Sequence, residues 1–254
     1  MRTIHLIGIG AGDPEHVTVQ AVGRLTEVDV FFLLDKGEAK RDLVDARLAI
    51  LERYVPDPAY RVVRAVDVDR DRTPENYRET VAEWHGRRAD LYEGLFRDEL
   101  ADGQVGAILC WGDPTLYDNT IAVVEEVRRR GRVGFDYTVV PGVSSVSALV
   151  AAHRISLNQI GRPVLVTTGR RLAADGFPDD VDDVVVMLDA HCAFAGLDDP
   201  DLDIYWGAYL GTPDELTVAG PLAEVAAGIP PLRDQARERK GWIMDTYLLR
   251  RRKR

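Results

Sequence analysis

Through the first half of the sequence, short apolar runs of strand length alternate with longer stretches of helical period, and that alternation constrains the fold more than any other feature. Thr3 to Ile9, Val30 to Leu34, Arg61 to Val66, Val105 to Cys110 and Phe135 to Val140 read as buried strands. Between them, Thr18 to Val28 sets Val19, Val22, Leu25 and Thr26 on one helix face, and Leu43, Ala46, Leu48, Ile50 and Leu51 mark a second helix. A long polar helix from Glu75 to Leu100 follows the start signal Thr73-Pro74-Glu75, and another runs from Tyr117 to Arg130, stopped by Gly131. Such βαβα order specifies a parallel sheet with helices on both faces.

After His153 the pattern changes. Ile155 to Pro163, polar and holding Gly161 and Pro163, reads as a linker. We therefore expect an N-terminal α/β domain over residues 1–155 and a C-terminal α/β domain over 156–254. The second would hold a smaller mixed sheet from Val164–Thr168, Val184–Leu188, Ile204–Tyr209 and Trp242–Leu249, with one helix near Pro221 to Ala227.

The chain has 254 residues, 46% of them hydrophobic, which is ample for buried cores. Its net charge of −10 argues against a general nucleic-acid binder. Five basic residues form the tail Arg250-Arg251-Arg252-Lys253-Arg254, read as a solvated chain end, so the body is more acidic still. Cys110 and Cys192 stand far apart, without CxxC spacing, and read as reduced core thiols. The first apolar run is too short for a signal peptide, and no stretch has the length to cross a bilayer. We expect a cytoplasmic protein with no nucleic acid and no membrane among its partners.

Three strand ends carry the functional signal. The first strand runs into Gly8-Ile9-Gly10-Ala11-Gly12-Asp13-Pro14, the fourth into Trp111-Gly112-Asp113-Pro114, and the fifth into Pro141-Gly142-Val143-Ser144-Ser145. All fall at carboxyl ends of parallel strands, the edge where open α/β sheets bind ligands. Any one such loop is equally well a tight connection; three together point to a site for a small polar molecule, met by backbone groups and the Ser144 and Ser145 hydroxyls. A nicotinamide site competes, with Asp35 where a ribose-binding acid would stand. After Gly8-x-Gly10, however, Asp13-Pro14 occupies the place of the third glycine, which disfavours a dinucleotide and leaves a smaller adenosine-bearing ligand without phosphates.

Gly8 to Glu15 with Val17-Thr18, then Val28-Asp29-Val30, Gly112-Asp113-Pro114, Pro141 to Ser145 and Gly211-Thr212-Pro213-Asp214-Glu215 resemble, in order and over nearly the whole chain, the tetrapyrrole methylases. The resemblance implies an S-adenosylmethionine-dependent methyltransferase of two α/β domains with a cleft between them, a homodimer, using no metal. It carries cofactor contacts onto Gly10 and Ala11, onto Gly112, Asp113 and Leu116, onto Ser144 and Ser145, and onto Leu188 and Gly211. Ala11 stands where the family often has proline. Two stretches, Phe31 to Lys40 and His153 to Pro163, are similar to the branch that methylates precorrin-5 at C-1 of the macrocycle with release of acetate.

Methyl transfer from a sulfonium asks mainly for in-line positioning. Deacetylation asks for a group that orients or deprotonates water, and Asp35 is the candidate; it is equally a surface carboxylate paired with Lys36. Lys36, Lys40, Arg41, Arg154, Arg170 and Arg171 flank the proposed loops, and we single out Lys36, Arg154 and Arg170 as clamps for the carboxylates of the anionic substrate. His153 could donate to the substrate or cap a helix. Trp111 could face the macrocycle or pack the strand end. Other corrin-pathway methyltransferases, such as the one acting at C-11, the family's diphthine-synthase and RNA branches, and a non-enzymatic nucleotide-binding sensor remain as alternatives.

Overall fold

The computed structural model describes residues 1–35, 37, 41–56, 59–68 and 77–252. The signal Thr73-Pro74-Glu75, Lys36, Lys40 and the last two residues of the basic tail lie outside them. The chain forms two compact units: Met1–Gly10 with Pro14–Val143, and Ala11–Asp13 with Ser144–Arg254. The division thus falls between Val143 and Ser144, where the sequence suggested 155.

In the first unit, β1 (Arg2–Gly8), β2 (Val30–Asp35), β3 (Arg61–Val66), β4 (Val105–Cys110) and β5 (Phe135–Val140) form one parallel sheet in the order β3-β2-β4-β1-β5. Alternate residues of a strand face opposite ways, so each strand feeds two cores. Ile4, Leu6, Phe32 and Ile108 pack with α3 (Tyr77–Glu99) and α4 (Thr120–Arg130). Ile7, Phe31, Leu33 and Leu109 pack with α1 (Val19–Leu25) and α2 (Arg41–Tyr54). Helices therefore cover both faces, as the alternation required.

Local chemistry sets the helix ends. The Thr18 hydroxyl accepts from the Ala21 N–H at 3.1 Å to start α1, and Gly131 closes α4 in the left-handed region at φ 67°. The apolar face expected for α1 is corrected: Ala21 and Leu25 are buried, whereas Val19 and Thr26 are exposed. Tyr117, expected inside α4, precedes it at φ 52°.

The second unit holds a mixed sheet, β6-β7-β10-β8-β9, built from β6 (Val164–Thr168), β7 (Asp183–Met187), β8 (Leu202–Ala208), β9 (Leu216–Pro221) and β10 (Asp245–Arg251). Only β6 and β7 pair in parallel. Its helices are α5 (Ser145–Ala152), α6 (Gly169–Asp175), the short α7 (Leu222–Val225) and α8 (Ile229–Lys240).

Two sequence readings fail here for the same reason. The basic tail is no loose end: Arg250 and Arg251 complete the central strand, and Arg250 Nε donates to Asp183, whose side chain is fully buried. The supposed linker belongs to the second unit, because Arg250 Nη2 donates to the Ser156 and Leu157 carbonyls at 2.8 and 3.1 Å, and Asp183 accepts from the Gln159 N–H. Distant partners satisfy polar groups that looked solvated.

Candidate functional site

The first unit brings its three glycine loops to one backbone cluster. Gly10 and Gly112 form an isolated bridge, Gly112 N–H donating to Gly10 O at 2.8 Å and Gly10 N–H to Gly112 O at 3.3 Å. Both need positive φ, 84° and 70°, which glycine adopts without strain. Gly142 packs so closely that a Cβ there would overlap the Gly112 carbonyl oxygen and stand 2.9 Å from Gly8 Cα. The cluster sits over β1 and β4, the neighbours between which the chain reverses direction across the sheet.

Asp113 ties these loops together. One carboxylate oxygen accepts from the Thr115 N–H at 2.7 Å and the other from the Gly142 N–H at 3.2 Å. Leu116 closes the same turn, its N–H donating to Asp113 O at 3.2 Å. Asp35 ends β2 in register with Val66, half-buried, and its Oδ1 accepts from the Gly37 N–H at 2.8 Å. Trp111 lies under the Arg47 guanidinium, 6.0 Å from its carbon.

The second unit offers a different edge. The pairing of Thr246 with Met187 and Asp245 with Ala208 puts the ends of β7 and β8 at one margin of the sheet. There Leu188 takes φ 54° and leaves 67% of its surface exposed, while Tyr209 takes φ 50° and Gly211 φ 74°. Left-handed backbone in leucine and tyrosine is costly and persists only where surroundings impose it. Asp189 imposes it at Leu188. Its buried carboxylate accepts from the His191 and Ala193 N–H groups at 3.0 and 2.7 Å and from the Tyr247 hydroxyl at 2.7 Å. Arg233 then donates to the Asp189 carbonyl at 3.1 Å while its Nε pairs with Asp245 at 2.9 Å. Burial raises the Asp245 pKa, with Arg233 opposing, and burial likewise raises that of Tyr247, reinforced by Asp189.

A model of the tetrapyrrole (corrin/porphyrin) methylases matches residues 3–226. The chain belongs to that family. A precorrin-6A synthase (deacetylating) from Sinorhizobium sp is 48% identical over 250 residues, 98% of this chain and 95% of that protein. A crystal structure of a cobalamin-synthesis-related protein, CobF, from Corynebacterium diphtheriae superposes with TM-score 0.83 at 36% identity, over the whole of both chains. The cobalt-precorrin-4 C(11)-methyltransferase of Priestia megaterium is more distant, 26% identical over 61% of this chain and 47% of its own length. Tetrapyrrole methylases use S-adenosylmethionine.

Among tetrapyrrole-methylase positions expected from the sequence, Gly10, Gly112, Asp113 and Leu116 meet in the first unit, with Asp35 on the same sheet edge. Ala11, Ser144, Ser145, Leu188 and Gly211 belong to the second. Ala11 is buried and its neighbour Gly12 packs on Leu210 and Thr212. The Ser144 oxygen is occupied, capping α5 by accepting from the Ser147 N–H at 3.1 Å. Gly211 N–H donates to Glu215 at 2.7 Å. His153 closes α5 through its backbone N–H, which donates to Leu149 O at 3.1 Å, while its Nε2 lies 3.0 Å from the Trp206 carbonyl of β8. Arg154, at φ 56°, and Arg170 are exposed; Lys36 lies outside the described residues. Sequence reasoning missed Asp189, Arg233 and the strained Tyr209; the signal for the first was an acid placed directly after an apolar strand.

Proposed function

We propose that this chain is a precorrin-6A synthase that methylates precorrin-5 at C-1 and releases its acetyl group as acetate. The observation that carries the reading is the likeness to the precorrin-6A synthase of Sinorhizobium sp, which covers 98% of the chain and so extends into both units. The more distant C-11 relative makes that reaction the second choice.

The residues fit S-adenosylmethionine. An exposed leucine held in a strained turn offers an apolar face to adenine, and the bonded glycine loops offer close backbone approach where a larger side chain could not fit. Gly10, Ala11, Gly112, Asp113, Leu116, Ser144, Ser145, Leu188 and Gly211 are the positions we assign to it. The cofactor supplies an electrophilic methyl group. The chain's own residues fix loop geometry within each unit, Asp113 through the Gly142 N–H in the first and Asp189 beneath Leu188 in the second. Asp35 orients the water that attacks the acetyl carbonyl and takes its proton. Lys36, Arg154 and Arg170 meet substrate carboxylates.

The reading includes a homodimer working in the cytoplasm without metal, nucleic acid or membrane. Two buried free cysteines suit a reducing compartment, and among the described residues no helix is long and apolar enough to cross a membrane. The test is stoichiometry: precorrin-5 and S-adenosylmethionine should yield acetate and S-adenosylhomocysteine one to one. S-adenosylhomocysteine without acetate would make the chain a sister methyltransferase. Nucleotide binding without methyl transfer to any porphyrinoid would make it a sensor.

A further inference from the structure

β2 and β4 run side by side only as far as Phe32 and Ile108. Beyond them β2 stays in register with β3 to Asp35 and Val66, while β4 stays with β1 to Cys110 and Gly8. The sheet therefore forks at its carboxyl edge, and a fork strips main-chain groups of their ladder partners. Arg47 of α2 supplies one: its Nε donates to the Leu109 carbonyl at 3.0 Å, and its Nη1 to the Leu43 carbonyl at 2.7 Å.

In the fork lies a cavity of about 110 Å³, several times what one water needs. Apolar residues of β2, β4 and α2 wall it, together with Arg47, Arg88, Tyr92, Cys110, Asp118 and Thr120. The two arginines differ. Arg88 pairs with Asp67 at 3.0 Å. Arg47 has no ion pair among the described residues; both its hydrogen bonds go to neutral carbonyls. Burial lowers its pKa, and Cys110, Tyr92 and Asp118 offset that only in part. Tyr92 is 1% exposed and lines the cavity. Asp118 is the acid of the lining, and its Oδ1 is taken by the Thr120 N–H at 2.6 Å.

A half-buried guanidinium with no carboxylate of its own, sharing a cavity with a tyrosine, is the complement of an acid group. We propose that this fork is a carboxylate pocket in which Arg47 and Tyr92 hold a group of acetate size. Its occupant, named on the strength of the proposed reaction, is either the acetate released or a carboxyalkyl arm of the tetrapyrrole.

The wild-type chain, alone in carboxylate-free buffer, is titrated with labelled acetate and read by saturation-transfer NMR. Saturable binding, weakened at least about tenfold in Arg47→Gln and tightened in Asp118→Asn, supports the pocket with free acetate as occupant. The side arm is the occupant if acetate does not bind but Arg47→Gln raises KM for the tetrapyrrole at least about tenfold, with kcat and S-adenosylhomocysteine affinity kept. Should Arg47→Gln not fold, Cys110→Leu, which fills the cavity and keeps Arg47, takes its place with the same expected losses. Acetate binding indifferent to these changes overturns the pocket, as does absent acetate binding with unchanged KM. Because the titration contains no tetrapyrrole, a chain that binds acetate but transfers no methyl group would lose the proposed reaction and keep the pocket.

Discussion

Gly10 and Gly112 exchange both of their backbone hydrogen bonds, at 2.8 and 3.3 Å, although they stand far apart in sequence. With Gly142 pressed against the same pair, three loops become one rigid backbone element at the edge of the parallel sheet.

That closeness leaves no room for a side chain. Gly142→Ala is expected to lower stability by about 1–3 kcal/mol, since the clash is with backbone that cannot step aside. It should also abolish S-adenosylhomocysteine binding. Gly23→Ala in α1 meets nothing within 4 Å and is expected to stabilise by about 0.4–1 kcal/mol. Thermal melts of the two variants, moving in opposite directions, check the argument; equal shifts would refute it.

Asp113 should act through geometry. Asp113→Asn can still accept from Thr115 but loses the charged acceptor for the Gly142 N–H. A cost of about 1–3 kcal/mol in stability is expected, with weaker cofactor binding measured by calorimetry.

Asp35 separates chemistry from binding. Asp35→Ala is expected to slow turnover by at least about tenfold and leave S-adenosylhomocysteine affinity nearly unchanged. Steady-state kinetics beside a binding isotherm read both, and wild-type turnover in the variant removes Asp35 from the mechanism.

Acid should loosen α4 in a defined window. Hydrogen bonds from Arg129 and Arg130 depress the Glu126 pKa from 4.5 to about 2. A carboxylate with a depressed folded pKa stabilises fully above its unfolded value and loses that contribution as pH falls. The stability difference between wild type and Glu126→Gln should therefore be constant above pH 4.5 and shrink toward pH 2, followed by denaturant midpoints at each pH.

Both thiols should be inert in the folded chain. Burial pushes Cys110 up to about 12 and Cys192 up to about 11, so almost no thiolate exists at pH 8. A thiol reagent should label both only after unfolding; rapid native labelling would refute the suppressed thiolate.

Elements whose signal is local were legible in the residues alone. β3, β4, β5 and β6 appear at the residues their apolar runs marked, and the glycine turns after β1, β4 and β5 stand at one sheet edge. Periodicity and turn chemistry belong to the chain within a few residues, so they survive without knowledge of partners. Polar elements escaped. Neither β9 nor α8 was anticipated, although Pro230 and Pro231 suit the first turn of α8. Arg47 lay in plain sight, a charge at helical spacing between Leu43, Val44, Ile50 and Leu51, but nothing local says that its helix faces a forked sheet. Only folding placed Arg250 in a central strand, set Asp189 beneath the strained turn at Leu188, and gave the Leu109 carbonyl at the fork to Arg47. The reason is common to all three: a buried charge or an orphaned backbone group takes its energy from a partner dozens of residues away, and that partner exists only once the chain has folded.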